Sequence, residues 1–140
     1  MAFLIRLVTR SKWNHALLLL GDDSCVEAEP SGAALGTGSA YATQEVSALV
    51  LSSVQVEAVC AAALSLVGTP YGFLDIVSVG LLQYGIRLGF IRRRVERSNC
   101  LICSQLVDEC YRLAGVHLFS DGRIPMDVTP GDLARLVKGG

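Results

Sequence analysis

Residues 103–115 read Cys103-Ser104-Gln105-Leu106-Val107-Asp108-Glu109-Cys110-Tyr111-Arg112-Leu113-Ala114-Gly115. Cys103, Leu106, Val107, Cys110, Leu113 and Ala114 recur at the spacing that puts them on one side of an α-helix. Gln105, Asp108, Glu109 and Arg112 take the other side, so the stretch predicts an amphipathic helix with a polar outer face. Gly115 stands where a left-handed C-terminal cap belongs. The helix therefore begins on a cysteine. Unpaired backbone N–H groups and the positive end of the helix dipole gather there, and both favour thiolate over thiol. An imidazole beside such a sulfur makes an activated nucleophile, and N–H groups of the same turn can hold an oxyanion.

The chain holds two histidines. His117 lies in the loop after the cysteine helix, and nothing local marks it for chemistry. His15 opens the apolar run His15-Ala16-Leu17-Leu18-Leu19-Leu20, which ends in Gly21-Asp22-Asp23-Ser24. Its length and turn residues predict a buried strand and a tight reversal. A second strand, Cys25 to Glu29, follows and stops at Pro30. Glu27 and Glu29 share one face of it, with Val26 and Ala28 on the other. Either carboxylate can orient the imidazole, because parity leaves the register through Gly21 to Ser24 open.

Outward from these elements, Phe3 to Val8 reads as a short strand and Val46 to Leu51 as another. Ser31 to Ser39, rich in Gly, Ala and Ser, reads as a loop. Ser52 or Ser53 can cap a helix that runs to Val67, where Gly68-Thr69-Pro70 stops it. Phe73 to Ile91 is the most apolar segment, but Asp75, Gln83, Arg87 and three glycines argue against a membrane span. It predicts a buried or surface-lying amphipathic helix. Beyond Val116 comes a loop with two prolines, then a short helix over Pro130 to Val137. There is no internal repeat and no linker, so residues 1–140 read as a single domain.

Composition narrows the classes. The 140 residues are 51% apolar and 18% charged, which excludes a disordered chain. A net charge of -1 gives no electrostatic case for nucleic acid. The arginines at 87, 92, 93, 94 and 97 form a local basic cluster, a solvated surface or a contact for an anionic partner. The N-terminus lacks a basic start, a long apolar run and a cleavage site, which predicts cytoplasmic synthesis without a signal peptide. An extracellular target would then be reached in a virion or by another export route. Five cysteines in such a chain argue against a disulfide framework, and Cys60 and Cys110 read as core residues. Cys100-Leu101-Ile102-Cys103 has redox or zinc-pair spacing, but no thioredoxin-like strand pattern and no second ligand pair accompany it. The expectation is therefore no metal and no cofactor.

These residues resemble a known family. Cys103-Ser104-Gln105-Leu106-Val107, with Tyr111 and Ala114-Gly115-Val116, resembles the cysteine helix of the NlpC-type cysteine peptidases. His15 to Asp22, followed by Val26-Glu27-Ala28, is similar to that family's histidine strand and the strand after it. The histidine precedes the cysteine here, as in the permuted branch that includes YiiX-like proteins and the lecithin:retinol acyltransferase group. Gly68-Thr69-Pro70-Tyr71-Gly72-Phe73 looks like a turn of the YiiX-like members. The resemblance covers about residues 11 to 30, 55 to 75 and 99 to 117. It implies an α+β, circularly permuted papain-like fold, with an antiparallel sheet packed against the cysteine helix. It implies Cys103 as nucleophile and His15 as base, and it selects Glu27 over Glu29 as the third catalytic residue. The implied activity is thiol hydrolysis of an amide or ester through an acyl-thioester, with a peptidoglycan peptide as leading substrate and a lipid acyl group as alternative. A structural phage-tail module that keeps the fold without activity is the non-enzymatic reading. Phe73 to Ile91 and the nearby arginines would then supply membrane-surface or virion-assembly contacts.

Overall fold

The computed structural model describes residues 11–46, 48, 53–72 and 101–138. Strands β1 (Leu17–Leu19), β2 (Ser24–Glu29) and β3 (Gly32–Thr37) form an antiparallel sheet in that order. Leu18 lies opposite Val26, and Ala28 opposite Ala33. Because side chains alternate along a strand, this register gathers Leu18, Val26, Ala28 and Ala33 on one face. That face packs on Val59 and Ala63 of helix α1 (Ser53–Ser65) and on Cys103, Leu106, Val107, Cys110 and Tyr111 of helix α2 (Cys103–Leu113). The described residues are thus α+β, with the sheet covered by the helix that carries Cys103.

The stretch expected as a loop, Ser31 to Ser39, instead forms β3 and the start of a 3₁₀ turn over Gly38–Tyr41. Gly and Ala have little preference for strands, so local composition pointed the wrong way. Non-local pairing decides here. All six residues of β3 pair with β2, and on the other side Ala33 donates to the Thr69 carbonyl at 2.8 Å while accepting from the Gly68 N–H at 2.7 Å.

The cysteine helix also departs from a simple amphipathic reading. Its outer face was expected to be solvated, yet Ser104, Gln105 and Asp108 are buried. Helix α1, the sheet and the segment around Val128 enclose its first two turns, and internal hydrogen bonds replace water. Ser104 donates to the Val128 carbonyl at 2.7 Å, and the Gln105 amide oxygen accepts the Ile102 N–H at 3.0 Å. Leu113, placed on the apolar stripe, is 49% exposed. Gly68 (φ +91°) and Gly115 (φ +77°) take the left-handed conformation expected at helix ends. Helix α3 (Pro130–Lys138) begins with a reciprocal cap. Asp132 accepts the Thr129 N–H at 2.8 Å, and the Thr129 hydroxyl accepts the Asp132 N–H at 3.2 Å.

Several expectations lie outside the described residues: the strand at 3–8, the apolar segment 73–91, the arginine cluster and Cys100. Of the strand expected over 46–51, only Val46 and Ala48 are described, and neither is in regular structure. No helix among the described residues is long and apolar enough to cross a membrane.

Candidate active site

The hairpin and the helix start bring His15, Glu27 and Cys103 together. Strand β2 pairs Glu27 with Leu17, which puts the carboxylate on the face of the sheet away from the core. His15 lies two residues before Leu17, so extending the register would set it opposite Glu29. It instead reaches diagonally, a distance long side chains span across a hairpin. Its Nε2 lies 2.8 Å from Glu27 Oε2. Glu29, the other carboxylate on that face, is exposed.

Cys103 is close enough to the imidazole to act on its proton affinity. Nε2 serves Glu27, and Cys103 is the other group that raises the affinity of the ring for a proton. Carboxylate, imidazole and thiol are therefore grouped together. Burial works against a charged imidazole here, but the hydrogen bonds and charges of Cys103 and Glu27 outweigh it and push the His15 pKa up to about 9. The ring is thus an imidazolium at neutral pH, the form that pairs with a thiolate and can protonate a leaving group.

Cys103 is the first residue of α2, and Ile102, its N-cap, has no side-chain oxygen to occupy the N–H groups of that turn. Those groups can hold an oxyanion beside the sulfur. Cys103 itself is 1% exposed, closed off by its neighbours. One neighbour is Tyr71. Its segment is tied to the residues before α2 by Leu101 N–H to the Pro70 carbonyl at 3.0 Å and Gly72 N–H to the Leu101 carbonyl at 3.2 Å. Burial, with the charge of Cys103 adding to it, pushes the Tyr71 phenol up to about 12.

Two participants were not read from the sequence. Tyr41, in the 3₁₀ turn, donates its hydroxyl proton to Glu27 Oε2 and stacks on His15 with ring centroids 5.6 Å apart. The signal was a single aromatic residue within a Gly-, Ala- and Ser-rich stretch. Gly36, opposite Cys25 on β3, leaves open the space that the Glu27 carboxylate fills. By contrast, His117 is exposed and Cys110 is deep in the core, where burial first, and then the Glu109 charge, pushes its thiol up to about 12. Cys60, expected in the core, is only partly buried.

Beside His15 and Tyr41 lies a cavity of about 380 Å³, walled chiefly by apolar side chains that include Leu17, Leu19, Val107 and Leu133. Its size is that of a pocket for a small ligand or a chain segment. Among the described residues, no group of three His, Cys, Asp or Glu side chains is placed to hold a metal ion. Comparison of the chain with protein-family models, with curated proteins and with solved structures gave no match.

Proposed function

We propose that this chain is a cysteine hydrolase of permuted papain-like, NlpC-type fold that cleaves an amide or ester through an acyl-thioester. The grouping Glu27–His15–Cys103 carries the reading, because a helix-start thiol beside an imidazole that is itself held by a carboxylate is an arrangement for acyl transfer. In the first step the thiolate sulfur of Cys103 attacks the carbonyl carbon. The carbonyl oxygen becomes the oxyanion, which the first-turn N–H groups of α2 stabilise. Collapse of this adduct breaks the bond to the amine or alcohol, which leaves with a proton from the His15 imidazolium. Neutral His15 then takes a proton from water as the oxygen attacks the thioester. Breaking the carbon–sulfur bond releases the acid and regenerates the Cys103 thiolate beside the His15 imidazolium.

The first substrate class is a peptidoglycan stem peptide, which follows from the resemblance of the cysteine helix and histidine hairpin. The second is a lipid acyl ester, for which the apolar cavity bordered by His15 and Tyr41 offers room for a chain beside the imidazole, Cys103 not being among its walls. Iodoacetamide labelling at neutral pH tests the shared chemistry. One fast-reacting cysteine is expected, lost in Cys103→Ala and kept in Cys60→Ala. Slow, equal labelling of all cysteines would instead favour a module that keeps the fold without activity. Assays against muropeptides and acyl esters in parallel then choose the substrate.

A further inference from the structure

We propose that Tyr41 is a positioning residue that holds Glu27 in place from above and fixes the plane of the His15 ring. This inference rests on the hydrolase reading, since positioning matters only if the pair acts on Cys103.

The geometry has three parts. The Tyr41 hydroxyl donates to Oε2 of Glu27, the same oxygen that meets His15 Nε2 at 2.8 Å. One carboxylate oxygen therefore ties both rings together. The two rings also stack, with centroids 5.6 Å apart and planes at 26°. A stacked neighbour opposes rotation of the imidazole about its Cβ–Cγ bond, which would carry Nε2 off Glu27. Finally, the turn bearing Tyr41 is itself clasped. Asp23 takes a left-handed conformation at φ +68°, which aspartate tolerates better than most residues. Its Oδ1 accepts the Ser39 N–H at 2.8 Å, its Oδ2 accepts the Ser39 hydroxyl at 2.6 Å, and its carbonyl accepts the Gly38 N–H at 2.7 Å. The hairpin turn thus locks the residue that locks the Glu27–His15 pair.

The groups acting on the phenol are Glu27, Glu29 and Cys25, and burial is the largest influence; together they hold it far above its ordinary pKa. Tyr41 therefore stays a proton donor to Glu27 across the working range of a thiol enzyme.

The test is proton NMR titration of His15 in the full chain, assigned with the aid of a His117→Gln variant. Tyr41→Phe keeps the stack and removes the hydrogen bond. It leaves the Glu27 charge less compensated and is expected to raise the His15 midpoint by about half a pH unit, while the less firmly held carboxylate slows Cys103 alkylation near neutral pH about threefold. Tyr41→Leu removes the stack as well and is expected to slow alkylation further. In a Glu27→Gln background the Tyr41→Phe shift should vanish, because the contact acts through Glu27. An unchanged His15 midpoint in Tyr41→Phe, or a shift that persists without Glu27, overturns the inference. Failure of the parent reading appears elsewhere: Cys103 of the unaltered protein would alkylate no faster than its other cysteines.

Discussion

Gly36 and Glu27 occupy one space between them: an added Cβ on Gly36 would overlap the Glu27 carboxylate and come within 3.3 Å of Cys25 Sγ. A glutamate on a strand usually swings to water. This one is 5% exposed and is held by His15 and Tyr41, so it has nowhere to go. Gly36→Ala should therefore displace the carboxylate from His15 and destabilise the fold by about 1–3 kcal/mol, the range for an overpacked site. Urea denaturation measures the second effect and Cys103 alkylation the first. A stable, fully reactive Gly36→Ala protein would show that the carboxylate relocates freely.

The three residues of the grouping should differ in what their loss does. Cys103→Ala is expected to abolish turnover, since the sulfur forms the bond. His15→Ala should cost about 10²–10⁴-fold, the usual weight of a general base. Glu27→Gln should be milder, because it orients rather than reacts. Circular dichroism spectra matching the unaltered protein would confirm that each loss is chemical. Equal losses at Cys103 and Glu27 would contradict this ranking of roles.

Stability should fall on the alkaline side for a specific reason. The folded His15 value, about 9, lies above the ordinary 6.5, so folding is favoured by binding a proton there. That contribution is complete below about pH 6.5 and is lost as pH rises through about 9. The melting temperature of the unaltered protein should drop across this window more than that of His15→Gln. Parallel curves for the two proteins would remove His15 as the cause.

At the other end of the chain, Asp132 holds helix α3 through Thr129 and accepts an ion pair from Arg123 at 3.1 Å. Burial would raise its pKa, but the Thr129 and Arg123 contacts outweigh burial and lower it. Its contribution is therefore present above the ordinary carboxylate range and lost as pH falls through the lowered value. Asp132→Asn should cost about 1–2 kcal/mol at pH 7, from a weakened cap and the lost ion pair with Arg123, which keeps Asp121 as its partner. Chemical denaturation at pH 7 and at pH 3 checks it: the gap between the two proteins should narrow in acid.

The sequence made visible the elements whose side chains repeat with a local period. The stripe of Leu106, Val107 and Cys110 marked the cysteine helix, and the alternation of Val26 and Ala28 against Glu27 and Glu29 marked the second strand. His15 and Cys103 stood out because histidine is scarce and a helix start is chemically distinctive. Strand β3 was hidden because its stability comes from partners on both sides rather than from its own Gly and Ala residues. Tyr41 was hidden for a related reason: only the fold of that strand and the Asp23 clasp turn its ring onto His15. The buried Gln105 and Asp108 mislead any period-based reading, which equates polar with exposed. Periodicity finds faces, but it does not report what covers them.

Ile102 at the head of the cysteine helix has a consequence for anyone improving this protein's heat resistance. A serine or aspartate at that position would supply the cap that isoleucine lacks, roughly 1 kcal/mol, but Ile102 is buried against Tyr71 and losing its side chain costs about 2–5 kcal/mol. The new oxygen would also draw on the N–H groups that the proposed reaction assigns to the oxyanion. Ile102→Asp should therefore melt at a lower temperature, so the packing that buries this isoleucine is also what keeps the head of the helix free of a side-chain cap.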